Sequence, residues 1–209
     1  MAGASFTCVS GVAAAMPEDN IDTDIIFPAR FLLLTARQGL GAYMFHDRRF
    51  AADGTPRPEH VLNDDRFRTA PILVAGANFG SGSSREQAVW ALHDHGVRVL
   101  IASSFGEIFF ANSLRNGIVP IRLTPDIVAM LIVAAQAQRR FTVDLVSQTL
   151  RVDGMQPIPF SIPPDKRQAL LNGWDETDQI VHHHGPAIAT FEQGQRARQP
   201  WLHQEDQTA

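Results

Sequence analysis

From residue 70 to residue 140, short apolar runs alternate with longer stretches whose apolar positions recur at helical spacing. Pro71–Ala75, Val97–Ala102 and Ile118–Leu123 are too short for helices and rich in branched residues, which predicts buried strands. Between them the spacing predicts helices. One opens near Ser83, buries Ala88, Val89, Ala91 and Leu92, and stops at His95 with Gly96 as its C-cap. A second spans Phe105–Asn116 and ends at Gly117. A third is announced by Thr124-Pro125-Asp126, an N-cap, a first-turn proline and an acid, and runs to about Arg139. The alternation predicts an α/β fold with a mainly parallel central sheet.

The flanks read differently. Phe6–Val12 is a first strand, Ala29–Leu40 a helix in whole or part, and Tyr43–Asn63 a loop excursion. From Phe141 the period shortens: Phe141–Val146, Thr149–Val152 and Ile158–Ser161 form a small appended β patch around the Asp153-Gly154 turn. Pro163-Pro164-Asp165 opens a helix to Asn172-Gly173, and Pro186–Gln195 forms a last one. The chain is expected to be one domain, residues 1–209, with a core at about 5–191 and a tail at 192–209.

Composition narrows the function classes. A net charge of −4 and the lack of a dense Lys/Arg run argue against nucleic acid. No apolar run approaches the ~18 residues of a membrane span, and no basic stretch with an apolar signal core opens the chain. Cys8 is the single cysteine, so no intramolecular disulfide exists. These cues predict a cytoplasmic protein without membrane contact.

The chemistry concentrates in Gly76–Leu92, GANFGSGSSREQAVWAL. A buried strand, a loop with Gly76, Gly80 and Gly82, and a helix start make an anion site. Ser83 with Glu86 and Ser84 with Gln87 both have capping-box spacing. The string lacks the Lys-Ser/Thr pair of a phosphate P-loop, the G-x-G-x-x-G fingerprint and the G-x-S-x-G elbow. A carboxylate or phosphate pocket remains, with Arg85 for bidentate contact. Upstream, Asn20-Ile-Asp-Thr-Asp24 is a turn with Asx hydrogen bonds or a loop delivering Asp24 into a cleft; the isoleucines that follow exclude an EF-hand. His93 and His95 read as dipole partners or surface groups at a helix end, and His182-His183-His184 do not converge on one metal in a regular helix or strand.

Taken together, Gly80-Ser-Gly-Ser-Ser-Arg-Glu86, Asn20-Ile-Asp-Thr-Asp-Ile-Ile26 with Pro28-Ala-Arg-Phe31, Val97–Phe109 and Asn116-Gly-Ile-Val-Pro120 resemble the aconitase superfamily's swivel domain. The resemblance is specifically to the small-subunit family of 3-isopropylmalate dehydratase and covers about Ser5 to Phe191. It implies a swivelling β/β/α fold and a large-subunit partner carrying a 4Fe–4S cluster. One cysteine cannot supply the ligands of such a cluster, so this chain is expected to bind no cofactor. The implied substrate is a small 2-hydroxy diacid, dehydrated and rehydrated on the neighbouring carbon. By resemblance Ser83 is the base, Ser84 and Arg85 bind substrate carboxylate, Gly80 and Gly82 shape the loop, and Asp24 orients an acid/base group of the large subunit. In relatives acting on tricarboxylic acids, the loop after the aspartate motif resembles Tyr-Leu-Arg-Thr. Here Phe31-Leu32-Leu33-Leu34 stands there, so Leu33 replaces an arginine and suits an isopropyl group, or else is core. Arg30 and Arg37 remain candidates for reaching the pocket. Ser81 and Gln87 depart from the commoner cysteine and histidine of the family pattern. The alternatives are a related hydro-lyase subunit of citraconate, dimethylmalate or homoaconitate type, and a non-catalytic anion-binding module of the same fold.

Overall fold

The computed structural model describes residues 5–34 and 36–203. Thr35 in the 29–40 segment and 204–209 of the expected tail lie outside the described residues. Seven strands form one continuous sheet: β1 (Cys8–Met16), β2 (Ile72–Ala75), β3 (Val99–Ala102), β4 (Val119–Arg122), β5 (Arg140–Asp144), β6 (Thr149–Val152) and β7 (Ile158–Pro159), in the order β4-β3-β2-β1-β5-β6-β7. The half from β4 to β1 is parallel; the half from β1 to β7 is antiparallel. The appended β patch is therefore an extension of the main sheet, hung on β1 with Val9 opposite Val143 and Gly11 opposite Phe141. β1 serves both halves, which is why it runs to Met16, four residues past the expected end at Val12.

Side chains of successive strand residues go to opposite faces, and both faces are apolar here. Leu73, Ala75, Leu100 and Ala102 point into a core with Phe27, Leu40, Phe45, Leu62, Phe79 and Leu92. Ile72, Val74, Val99, Ile101 and Ile121 point into a second core with Val128, Leu131, Phe141, Leu150 and Phe160. Strands buried on both faces explain the continuous apolar runs in the sequence.

The helices are α1 (Thr23–Ile26), α2 (His46–Arg49), α3 (Glu86–His95), α4 (Glu107–Arg115), α5 (Pro125–Gln136), α6 (Pro164–Asn172) and α7 (Glu176–Arg198). Three segments differ from the pattern-based expectation. Ala29–Leu40 is not a helix: it holds one 3-10 turn, Ala29–Phe31, and a second begins at Leu40. Pro28 precedes the first turn and left-handed Gly39 sets the start of the second. The Tyr43–Asn63 excursion contains α2 and a 3-10 turn at Val61–Asn63. At the other end, α7 starts ten residues before Pro186 and carries that proline inside it. An Asp175–Asp178 capping box nucleates it, and none of its residues is buried. Among the described residues, no helix is long and apolar enough to cross a membrane.

Candidate active site

The three parallel strands β1, β2 and β3 end side by side at Met16, Ala75 and Ala102. The loops that leave those ends are stitched together by their backbones. Asn20 N–H donates to the Ala77 carbonyl at 2.8 Å, Gly80 N–H to Ile21 at 2.7 Å, and Thr23 N–H to Ser81 at 2.9 Å. On the other side Phe79 N–H donates to Ser104 at 3.1 Å and Gly106 N–H to Phe79 at 2.9 Å. The glycine loop is thus clamped between the aspartate loop and the loop after β3. Carboxyl ends of parallel strands are where open α/β sheets bind ligands.

Glycine is required at two points of this loop. Gly80 has φ +71°, and a Cβ there would lie 2.2 Å from the Phe109 ring. Gly82 has φ +93°, in more open surroundings. The backbone can turn there because neither residue carries a side chain. Asn20 and Asn78 also adopt positive φ, 59° and 57°, and the Asn78 amide donates to Asn20 Oδ1 at 2.8 Å.

The serines do not cap α3. Its N-cap is Arg85, with no side-chain capping bond, so neither expected capping box forms. The Ser83 hydroxyl is engaged elsewhere: its Oγ lies 3.1 Å from Thr23 Oγ1. Thr23 is only 1% exposed and also reaches the Ser83 carbonyl at 3.3 Å. Ser83 and Ser84 are themselves exposed at the mouth of the loop. The first-turn N–H groups of α3 keep their positive end free of a side-chain cap, as an anion site needs.

Asp22 caps α1, accepting from Ile25 N–H at 2.8 Å, the Asx bond expected of this loop. Its neighbour Asp24 forms an ion pair with Arg85. Ser83, Thr23, Asp24 and Arg85 are therefore one cluster, drawn from the start of α1 and the glycine loop, about 60 residues apart in sequence.

Arg30 is not poised over that cluster. It pairs with Asp47, reaches His46 Nδ1 at 3.1 Å and stacks on Phe31. The Arg30 hydrogen bond in turn holds the Asp47 carboxyl below its ordinary range. Arg37 stacks on Trp90, 4.3 Å from the ring centre. Leu33 is 91% exposed, which excludes the core reading. With Leu34, Leu40 and Tyr43 it lines a pocket of about 390 Å³.

Burial pushes both His93 and His95 below their ordinary value, so they do not serve as charged partners of the α3 end at neutral pH. His182 packs against Trp174 in a tilted arrangement, with ring centres 4.2 Å apart. Sequence reasoning misses Thr23 and Asn78. A threonine between two site aspartates and an asparagine before a glycine loop are the only signals that mark them.

Comparison with known proteins fits this geometry. The model of the aconitase C-terminal domain matches residues 3–126, so the fold is of the aconitase class. Residues 183–205 match the model of the C-terminal domain of the 3-isopropylmalate dehydratase small subunit. A 3-isopropylmalate dehydratase small subunit from Rhodospirillum centenum is 47% identical over 94% of this chain and 97% of its own length. One from Gluconacetobacter diazotrophicus is 47% identical over 94% of this chain and 95% of its own. The crystal structure of a 3-isopropylmalate dehydratase from Methanocaldococcus jannaschii superposes with a TM-score of 0.63 at 25% identity, covering 88% of this chain and 99% of that one. The chain belongs to the family of 3-isopropylmalate dehydratase small subunits.

Proposed function

We propose that this chain is one half of a two-chain hydro-lyase. The pair would interconvert 2-isopropylmalate and 3-isopropylmalate by dehydration and rehydration, through 2-isopropylmaleate, in leucine biosynthesis. The observation that carries the reading is the cluster of Ser83, Thr23, Asp24 and Arg85 at the carboxyl ends of parallel strands, in a chain of this family.

The chain's own groups define its share of the work. Ser83 takes the proton from the substrate carbon. An alkoxide is unfavourable near neutral pH, so it needs stabilising contacts. The Thr23 hydroxyl lies at 3.1 Å; in this reading the uncapped start of α3 and the Arg85 guanidinium, two residues on, add their positive charge. Thr23 has one proton and two acceptors on Ser83; a charged Oγ draws it from the carbonyl. Ser84 and the remaining Arg85 donors bind a substrate carboxylate. Asp24 holds Arg85 in place and meets the large subunit's acid/base group. Leu33 packs on the isopropyl group.

This chain's residues do not fit a 4Fe–4S cluster. Its one cysteine, Cys8, is exposed at the far end of β1, roughly 25 Å of strand from the site. Among the described residues no three His, Cys, Asp or Glu side chains converge as a metal site. In this reading the cluster is the large subunit's, and the single-cysteine chain works in the reducing cytoplasm.

The test is reconstitution. Isopropylmalate turnover should appear only when the chain is mixed with its large subunit. Full turnover by the isolated chain contradicts the proposal. So does a pair that processes citraconate-type diacids and leaves isopropylmalate untouched.

A further inference from the structure

Asn116 takes no part in the chemistry above, yet it is the hub of a network that ends at the site. Its Nδ2 donates to Glu86 Oε1 at 2.7 Å and to the Asn112 carbonyl at 2.9 Å. Its Oδ1 accepts from the Trp90 indole N–H at 3.1 Å. All three partners fix the amide: turned over, it would set a carbonyl against the Glu86 carboxylate and an NH₂ against the indole N–H. Glu86 and Trp90 are one turn apart on the same face of α3, so Asn116 grips that helix at two points. Glu86 directly follows Arg85, the N-cap that has no side-chain capping bond. The first turn of α3 is therefore held from the side. The grip continues outward, because Arg37 from the 29–40 segment stacks on Trp90.

Asn116 is itself well anchored. It is the C-cap of α4, its N–H donates to the Asn112 carbonyl at 3.0 Å, and left-handed Gly117 follows it into β4. The side chain of Asn116 thus ties α4 to the first turn of α3.

We propose that Asn116 is a positioning residue that sets substrate affinity by fixing the α3 turn carrying Arg85. The proposal rests on the functional reading above. A capping role alone would lower stability and leave the Michaelis constant unchanged; a positioning role moves the Michaelis constant.

The test uses the reconstituted two-chain enzyme. Asn116→Ala should raise KM for isopropylmalate about tenfold and change kcat by less than about threefold. Glu86→Gln keeps the acceptor and should stay near wild type, whereas Glu86→Ala should resemble Asn116→Ala. The Asn116→Ala/Glu86→Ala double variant should be no worse than Asn116→Ala alone, since that change already removes the Glu86 contact. Trp90→Phe keeps an aromatic ring for Arg37 while removing the indole N–H with part of the ring; a KM rise of roughly threefold is expected, and it carries the test if Asn116→Ala does not fold. An unchanged KM in an active enzyme, or additive effects in the cycle, overturns the inference alone. Absence of turnover by the wild-type pair overturns the functional reading and the inference with it.

Discussion

Asp24 and Arg85 form an ion pair across 61 residues of sequence, joining the loop after β1 to the N-cap of α3. Arg85 is 20% exposed and Asp24 54%, so the pair sits at the surface of the site. At that exposure it contributes little to folding, less than about 1 kcal/mol. Its value lies in aim. Asp24→Asn should leave the denaturation midpoint nearly unchanged and lower kcat/KM roughly 10- to 100-fold in the reconstituted enzyme. Steady-state kinetics beside urea unfolding checks both halves of that statement.

Arg85→Lys keeps the charge and loses the fork that grips a carboxylate through two bonds. KM for isopropylmalate should rise at least about tenfold. A KM within twofold of wild type, read from initial rates, would show that Arg85 does not bind the substrate.

The two loop glycines should respond differently to the same change. Gly80→Ala meets a positive φ and a Phe109 ring 2.2 Å from the new Cβ. The backbone term and the clash together should cost about 2–4 kcal/mol. Gly82→Ala meets a positive φ alone, with its nearest neighbour at 3.5 Å, and should cost about 1–2 kcal/mol. Chemical denaturation of the isolated chain measures both.

Leu33 tests specificity without disturbing the fold. At 91% exposure, Leu33→Arg should shift stability by less than about 0.5 kcal/mol. The same change should reduce kcat/KM for isopropylmalate about tenfold or more, because a charged head replaces an apolar contact. Equal kinetics in the two proteins would remove Leu33 from the substrate pocket.

Acid sensitivity follows from His60. Burial, with Arg49 and Arg48 nearby, pushes its imidazole down to about 4 from an ordinary value of 6.5. Its Nδ1 accepts from Leu62 N–H at 3.2 Å, and its Nε2 is buried without a partner among the described residues. The folded chain therefore favours neutral His60. Between pH 6.5 and about 4 the unfolded chain takes up a proton that the folded chain refuses. Stability from this group is full above that window and is lost as pH falls through it. Urea midpoints measured across the window should decline with acid, and His60→Leu should flatten the decline.

Much of the parallel half is legible in the sequence because strands buried on both faces leave unbroken apolar runs between helical periods. The position of β1 is not legible. Its neighbours β2 and β5 are distant in sequence, and pairing between remote strands leaves no local mark. The serines mislead for a related reason. Their spacing fits two capping boxes, yet the Ser83 hydroxyl turns to Thr23, 60 residues away. The sequence places a helix only at Pro186–Gln195, whereas α7 begins at Glu176; Gly185 and Pro186 are tolerated inside a helix whose exposed backbone water can satisfy. At the site, the Ser83–Arg85 loop is visible in the string itself. The disposition of Arg30 is not, because its partner Asp47 lies in an excursion whose folding no pattern foretells.

The central claim is that Ser83 is the base of a shared active site. The most direct measurement is turnover of isopropylmalate by the large subunit paired with Ser83→Ala, with complex formation followed alongside. The account predicts a normal complex whose kcat falls by about a thousandfold or more. A kcat within tenfold of wild type in an intact complex would contradict it.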